Sequence, residues 1–257
     1  MPSSITTCYD ANNNLSDATN EILAEEMRFI IETDQGEEIL KGGKVRILKQ
    51  NQTNITWCSE QSNSRFQVSC NGDFGFDGIS NISIQVKAKQ HVSVKDIRLE
   101  VPYSSYASKY MMGLGHKGGF RPDSLISWNW DIEKHQDKIW MGNVNAGMNL
   151  RFMDDHFVRP LVNIYYALGK LNLPESWGNQ NKGGINIYPT THGTTKLVAY
   201  SGERSMEKGE KLSYNFDMQI TPVKPINWKK QVTNRFYHSN SDLSTNISMK
   251  RSKTEPI

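Results

Sequence analysis

The chain has 257 residues, with 30 Lys and Arg against 27 Asp and Glu and a formal net charge of +3. That length can bury one large all-β domain, or two average ones, without disulfides or metals. The near balance of charge, with no basic block before Lys250-Arg251-Ser252-Lys253, gives no electrostatic case for a nucleic-acid partner.

The N-terminus, MPSSITTCYDANNNLSD, carries neither the basic start nor the apolar run of a secretory signal. No stretch approaches the roughly 18 apolar residues of a membrane span, so the sequence predicts a soluble chain with no membrane partner. Residues 1–26 are expected to be a partly disordered extension, with a short helix over Asp17–Glu26. From residue 27 the pattern becomes that of antiparallel sheet: short apolar or alternating segments bounded by turn residues. Met27–Thr33 and Lys44–Lys49 bracket the turn-rich DQGEEILKGG, and Asn54–Cys58 with Arg65–Cys70 predicts a hairpin. Ser80–Ala88, Val92–Val101, Thr195–Ser201 and Lys211–Thr221 alternate cleanly, which puts one face inside and one face in water. Residues 154–183 interrupt this pattern with an apolar-aromatic run and then a Pro/Gly/Asn-rich stretch, expected to be a long excursion ending before a strand at Gly184–Tyr188. The fold class expected is mostly β, an antiparallel β-sandwich over 27–226 with few short helices. A helical exit segment follows at 227–238, and a polar, disordered tail at 239–257.

Three cysteines, Cys8, Cys58 and Cys70, fit no zinc or redox spacing. Cys58 and Cys70 would face each other only if the hairpin register allowed it. A turn near Ser62-Asn63 sets them out of register, so free thiols are expected. Asn14, Asn51, Asn54, Asn81 and Asn246 each begin an Asn-x-Ser/Thr sequon, which matters only if the protein is secreted.

Candidate chemistry is sparse. Asp131, Glu133 and His135 share one face if they lie on a strand and so resemble a ligand set, but the plainer reading is a solvated strand face. Asp154, Asp155 and His156 are consecutive and cannot easily converge on one ion, so no metal and no cofactor is expected. No two carboxylates stand out as the acid pair that glycosidic cleavage requires. Gly113-Leu-Gly115-His-Lys-Gly118 matches a dinucleotide fingerprint by spacing alone, without the strand and helix that would give it meaning.

Residues 110–147 concentrate Trp128, Trp130 and Trp140 with Gly113, Gly115, Gly118, Gly119, Gly142 and Gly147. Two readings stay open. The tryptophans fill a core or a domain contact, or Trp128, Trp130 and Trp140 form a sugar platform with Asp131, Arg121 and Asn145 supplying hydroxyl partners.

The succession SKYMMGLGHKGGFRP (Ser108–Pro122), WNWD (Trp128–Asp131) and IWMGNVNAGM (Ile139–Met148) resembles the non-catalytic, N-terminal β-sandwich region of glycoside hydrolase family 123-like proteins. MQITPVKPINWKKQVTNRFYH (Met218–His238) is similar to the exit of that sandwich. The resemblance covers residues 70–238, includes Pro122 and the glycines as structural motif positions, and departs from the family at Asn143, where Asp is usual. It implies that the sandwich precedes a (β/α)₈ barrel holding an Asp-Glu pair that works with the substrate's own N-acetyl group. A barrel needs about 250 further residues, so the chain is expected to be truncated before the catalytic apparatus and to come from a secreted parent family. The expected partners are then glycans or the barrel domain of a hydrolase. Three functions follow: a non-catalytic accessory sandwich with apolar surface uncovered near the Trp segment or Phe236-Tyr237, an autonomous lectin-like sandwich, or a complete small glycosidase.

Overall fold

The alternation that runs down the sequence closes into two facing antiparallel sheets. The computed structural model describes residues 1–9, 15–130, 138–156, 173–223 and Thr233. From the N-terminus, β1 (Thr6–Tyr9) and β2 (Leu15–Glu21) form a ribbon, followed by β3 (Arg28–Thr33), β4 (Gly36–Glu37), β5 (Lys41–Gly42) and β6 (Arg46–Gln50). The long strands β7 (Asn54–Ser62), β8 (Phe66–Gly75), β9 (Ile79–Ala88) and β10 (Val92–Tyr103) come next. A 3-10 turn at Tyr106–Ser108 leads to β11 (Tyr110–Gly113), β12 (His116–Phe120), β13 (Ile126–Asn129), β14 (Lys138–Gly142) and β15 (Gly147–Met153). The four-residue helix α1 (Glu175–Gly178) precedes β16 (Gly184–Pro189), β17 (Thr195–Tyr200), β18 (Arg204–Met206) and β19 (Lys211–Thr221).

Among the described residues the larger sheet runs β12-β11-β14-β15-β19-β9-β8-β7-β5, with β6 also on β7. The smaller runs β13-β16-β17-β10-β3-β4, with β18 also on β10. Period-two burial sets which face is inside: in β9, Ser80, Ile82, Ile84, Val86 and Ala88 are buried, whereas Asn81 and Ser83 are exposed. The same holds in β10 for Ile97, Leu99 and Val101, and these residues from the two sheets belong to one core.

Two expectations about the N-terminus are corrected. Leu15–Glu21 is a strand, not part of a helix, because its backbone pairs with β1 (Thr6↔Glu21, Thr7↔Asn20) and pairing overrides weak local propensity. Residues before 27 are also no mere extension: Ile5, Ile22 and Leu23 lie in the core, and Ala24 N–H donates to Pro102 O at 2.8 Å. Met1–Val223 is one unit and Lys224–Ile257 another. The expected exit helix and tail fall, save Thr233, outside the described residues.

The β7–β8 register pairs Ser59 with Cys70 and Cys58 with Asn71. The two thiols therefore sit on opposite faces of the sheet, and both are free.

Candidate functional site

Strand parity decides the fate of the tryptophans. On β13, Ser127 and Asn129 point outward while Trp128 is 5% exposed; Trp130, just beyond, is 4% exposed. The two indoles meet at 80° with centroids 4.8 Å apart. Edge-to-face contacts continue from Trp130 to Phe152, on to Trp177 and then to Tyr214. A sugar needs an open ring face, so Trp128 and Trp130 are corrected from platform to core. Neither indole N–H has an acceptor among the described residues, a cost of about 1–3 kcal/mol each that burial of the large apolar rings must exceed. Trp177 is satisfied: its Nε1 donates to Met153 O at 3.0 Å and Asn215 O at 3.1 Å.

Two other expected ligand-binding residues are structural ties. Arg121 donates from Nε to Ser108 O at 3.0 Å and from Nη1 to Pro122 O at 2.5 Å, which pins the turn after β12. Asn145 is buried in the β14–β15 connection, and its carbonyl accepts the Thr7 hydroxyl at 2.5 Å. Asp131, with Glu133 and His135, lies outside the described residues. Among the glycines, Gly113 is obligatory at φ 118°, because a Cβ there would lie 2.4 Å from Lys138 O. Gly115 completes the turn between β11 and β12 at φ 80°. Gly118 and Gly119 have no such requirement, since an added Cβ meets nothing closer than 3.7 Å.

Trp140 differs from Trp128. It faces away from the core on β14, half-buried, between the inward Ile139 and Met141. Its ring lies over Gly142 and Gly147, where a Cβ would sit 2.5 and 2.8 Å from the indole, and Nε1 donates to Thr221 Oγ1 at 2.9 Å. The register brings other residues beside it. Met112 is directly opposite Trp140, and Tyr110 is opposite both Gly142 and Phe120. Tyr110 and Phe120 rings stack at 5.0 Å and 36°, while Phe120 and Met112 are 73% and 55% exposed. Asn149 stands opposite Trp140 on the other side and pairs on to Gln219; one row further, Arg151 and Asp217 form an ion pair at 3.3 Å. The result is an aromatic shelf at one end of the larger sheet, bordered by two amides. Tyr110, Met112 and Phe120 were not singled out from the sequence, because YMM carries no alternation and only the pairing of Met111 with Met141 reveals which side faces out.

At the opposite end of that sheet a cleft of about 620 Å³ opens between the two layers, lined by Met27, Phe29, Leu40, Ile47, Trp57 and Cys70. Burial pushes the Cys70 thiol up to about 11. Ile39, Val45, Ile47 and Leu48 are exposed around the β5–β6 edge, interspersed with Lys41, Lys44, Arg46 and Lys49.

The half-buried carboxylates among the described residues are committed. Arg98 reaches Glu32, Glu37 and Glu100 at 2.6, 3.1 and 2.9 Å. Burial pushes the Glu100 carboxyl up, but hydrogen bonds from Arg98 and Lys196 outweigh it and hold Glu100 below its ordinary range. Burial pushes Asp96 up, against the N–H groups of Gly202 and Ser201 that it accepts at 2.8 and 3.0 Å. Asp155 is held down by hydrogen bonds from Ser213 and Asn215. Among the described residues no group of three or more His, Cys, Asp or Glu could hold a metal ion.

A family model described as glycoside hydrolase 123, third domain, matches residues 1–222, a span that takes in β1 and β2 and ends with the last strand. No curated protein matches the chain. Similar solved structures include a galactose mutarotase related enzyme from Lactobacillus acidophilus, at 6% identity and TM-score 0.39 over 87% of this chain and 99% of that one. A heparan sulfate lyase from Pedobacter heparinus is similar at 6% identity and TM-score 0.32, over 74% of this chain and 23% of the lyase.

Proposed function

Because the chain belongs to the glycoside hydrolase 123 third-domain family, we propose that it is a non-catalytic accessory β-sandwich that works beside the catalytic barrel of a glycoside hydrolase. The observation that carries this reading is the commitment of the half-buried carboxylates among the described residues. Glycosidic cleavage needs two facing carboxyl groups roughly 5–9 Å apart, one with a raised pKa and free to donate its proton. Here Glu32 and Glu100 are bound to Arg98, Asp217 is paired with Arg151, and Asp155 accepts from Ser213 and Asn215. Asp96 has the raised pKa of an acid, yet one of its oxygens is used by two backbone N–H groups that fix the turn after β17.

The exposed Ile39, Val45, Ile47 and Leu48 beside the open cleft support a neighbouring domain, since soluble domains rarely leave such a cluster bare. The basic residues among them favour an acidic partner surface.

The test is hydrolysis of aryl N-acetylhexosaminides by the purified chain. The expected result is no release above buffer. Release above buffer that a single carboxylate substitution, Asp96→Asn among them, abolishes contradicts a non-catalytic role.

A further inference from the structure

We propose that the shelf formed by Trp140, Met112, Tyr110 and Phe120 on the outer face of the larger sheet binds an oligosaccharide. Its sugar rings stack on the aromatics, and their hydroxyls hydrogen-bond to Asn149 and Gln219. The choice of a glycan as the occupant rests on the glycoside hydrolase reading above; the site itself rests on geometry.

The shelf lies at a sheet edge, where β12 is the terminal strand. Edge strands usually carry charge or Pro, because an exposed apolar edge invites aggregation. β12 carries Lys117, yet it also exposes Phe120 (73%), and the next strand exposes Met112 (55%), so apolar side chains stand open beside the charged edge. Lys109 Nζ lies over the Tyr110 ring at 5.2 Å and over the Phe120 ring at 5.9 Å from the centroids, so a charged donor stands above this ring pair and a sugar stacks beside it or displaces it. The sheet register fixes the lateral order: Phe120, Tyr110 and Gly142 form one row, while Met112, Trp140, Asn149 and Gln219 form the next. With strands about 4.8 Å apart and same-face residues about 7 Å apart along a strand, the aromatics span roughly 10 Å across three strands, room for more than one sugar ring.

Trp140 is pre-set for stacking. The glycine floor and the Thr221 hydrogen bond hold its indole against the sheet, so binding loses little side-chain freedom. The adjacent groups are also of the right kind. A carboxamide offers both donors and an acceptor, which matches a hydroxyl that donates and accepts, and Arg151 and Asp217, one row further along, neutralise each other. A protein-docking surface would need no such row of amides beside its aromatics.

The test is titration of the purified full chain with oligosaccharides of glucose, N-acetylglucosamine and N-acetylgalactosamine, followed by calorimetry. At least one should bind, and Trp140→Ala and Phe120→Ser should each weaken it about tenfold, as expected for the loss of one stacking contact. Phe120→Ser guards against a folding effect, because its side chain is outside the core. Failure of all three sugars to bind, or binding unaffected by both substitutions, overturns the site. Binding lost in these variants without hydrolysis leaves the accessory role intact. Hydrolysis with normal binding overturns only the accessory role, so the two readings fail separately.

Discussion

Trp128 and Trp140 come from one aromatic-glycine stretch and reach opposite ends of the same physical problem. Trp128 has Ser127 and Asn129 as outward neighbours and is itself turned into the core, where it meets Trp130 edge-on. Trp140 sits between the inward Ile139 and Met141 and so points outward, onto a floor of two glycines. Composition treats them alike; strand parity and cross-strand glycines separate them. The lesson is that an aromatic becomes available to a ligand only when its alternates take the core and its opposite neighbours are small enough for the ring to lie flat.

The comparison breaks most visibly at the inner cluster. Trp177→Ala removes the ring that joins Phe152 to Tyr214 and two hydrogen bonds, and should cost about 3–5 kcal/mol in urea unfolding. A cost below about 1 kcal/mol would mean that the inner tryptophans are not the core. Next in size is Gly147→Val: its Cβ would meet the Trp140 ring at 2.8 Å and Thr221 Oγ1 at 2.9 Å, so about 1–3 kcal/mol of strain is expected. Combined with Trp140→Ala the strain against the ring disappears, and the double variant should recover part of the loss.

A smaller effect concerns pH. Burial raises Cys70 from 9.0 to about 11 and Tyr214 from 10.0 to about 12. In both, ionisation is harder in the folded chain than in the unfolded one. The Cys70 contribution is therefore complete below pH 9 and is lost as pH rises through about 11, and that of Tyr214 is complete below pH 10 and is lost as pH rises through about 12. Cys70→Ala should flatten the first part of that decline in a series of thermal melts; an unchanged slope between pH 9 and 11 would mean that the thiol is not buried in the cleft. The smallest effect is that of Phe120→Ser, expected within about 0.5 kcal/mol of the parent because the ring is outside the core.

Most of the sandwich was legible in the sequence, since Ser80–Ala88 and Lys211–Thr221 alternate strictly and only one face of each can be buried, while Val92–Val101 alternates on either side of a bulge between Val94 and Asp96. The N-terminal strands were not, because LSDATNE is polar and its strand character comes from pairing with Thr6–Tyr9 rather than from its own pattern. The site was half legible. Trp140, Gly142 and Gly147 were marked together, but Trp128 and Trp130 were grouped with them because spacing shows that two residues share a face without showing which face is inside. Tyr110, Met112 and Phe120 gave no alternation at all. Their exposure follows from Met111 pairing with Met141, a contact between strands that no local window contains.

The most direct test of the two-sided segment is a ¹H–¹⁵N spectrum of the indole N–H groups during oligosaccharide titration, with peaks assigned by single Trp→Phe substitutions. The account predicts that the Trp140 signal moves with added sugar while those of Trp128, Trp130 and Trp177 stay in place. Movement of the Trp128 or Trp130 signals, with Trp140 unchanged, would contradict it.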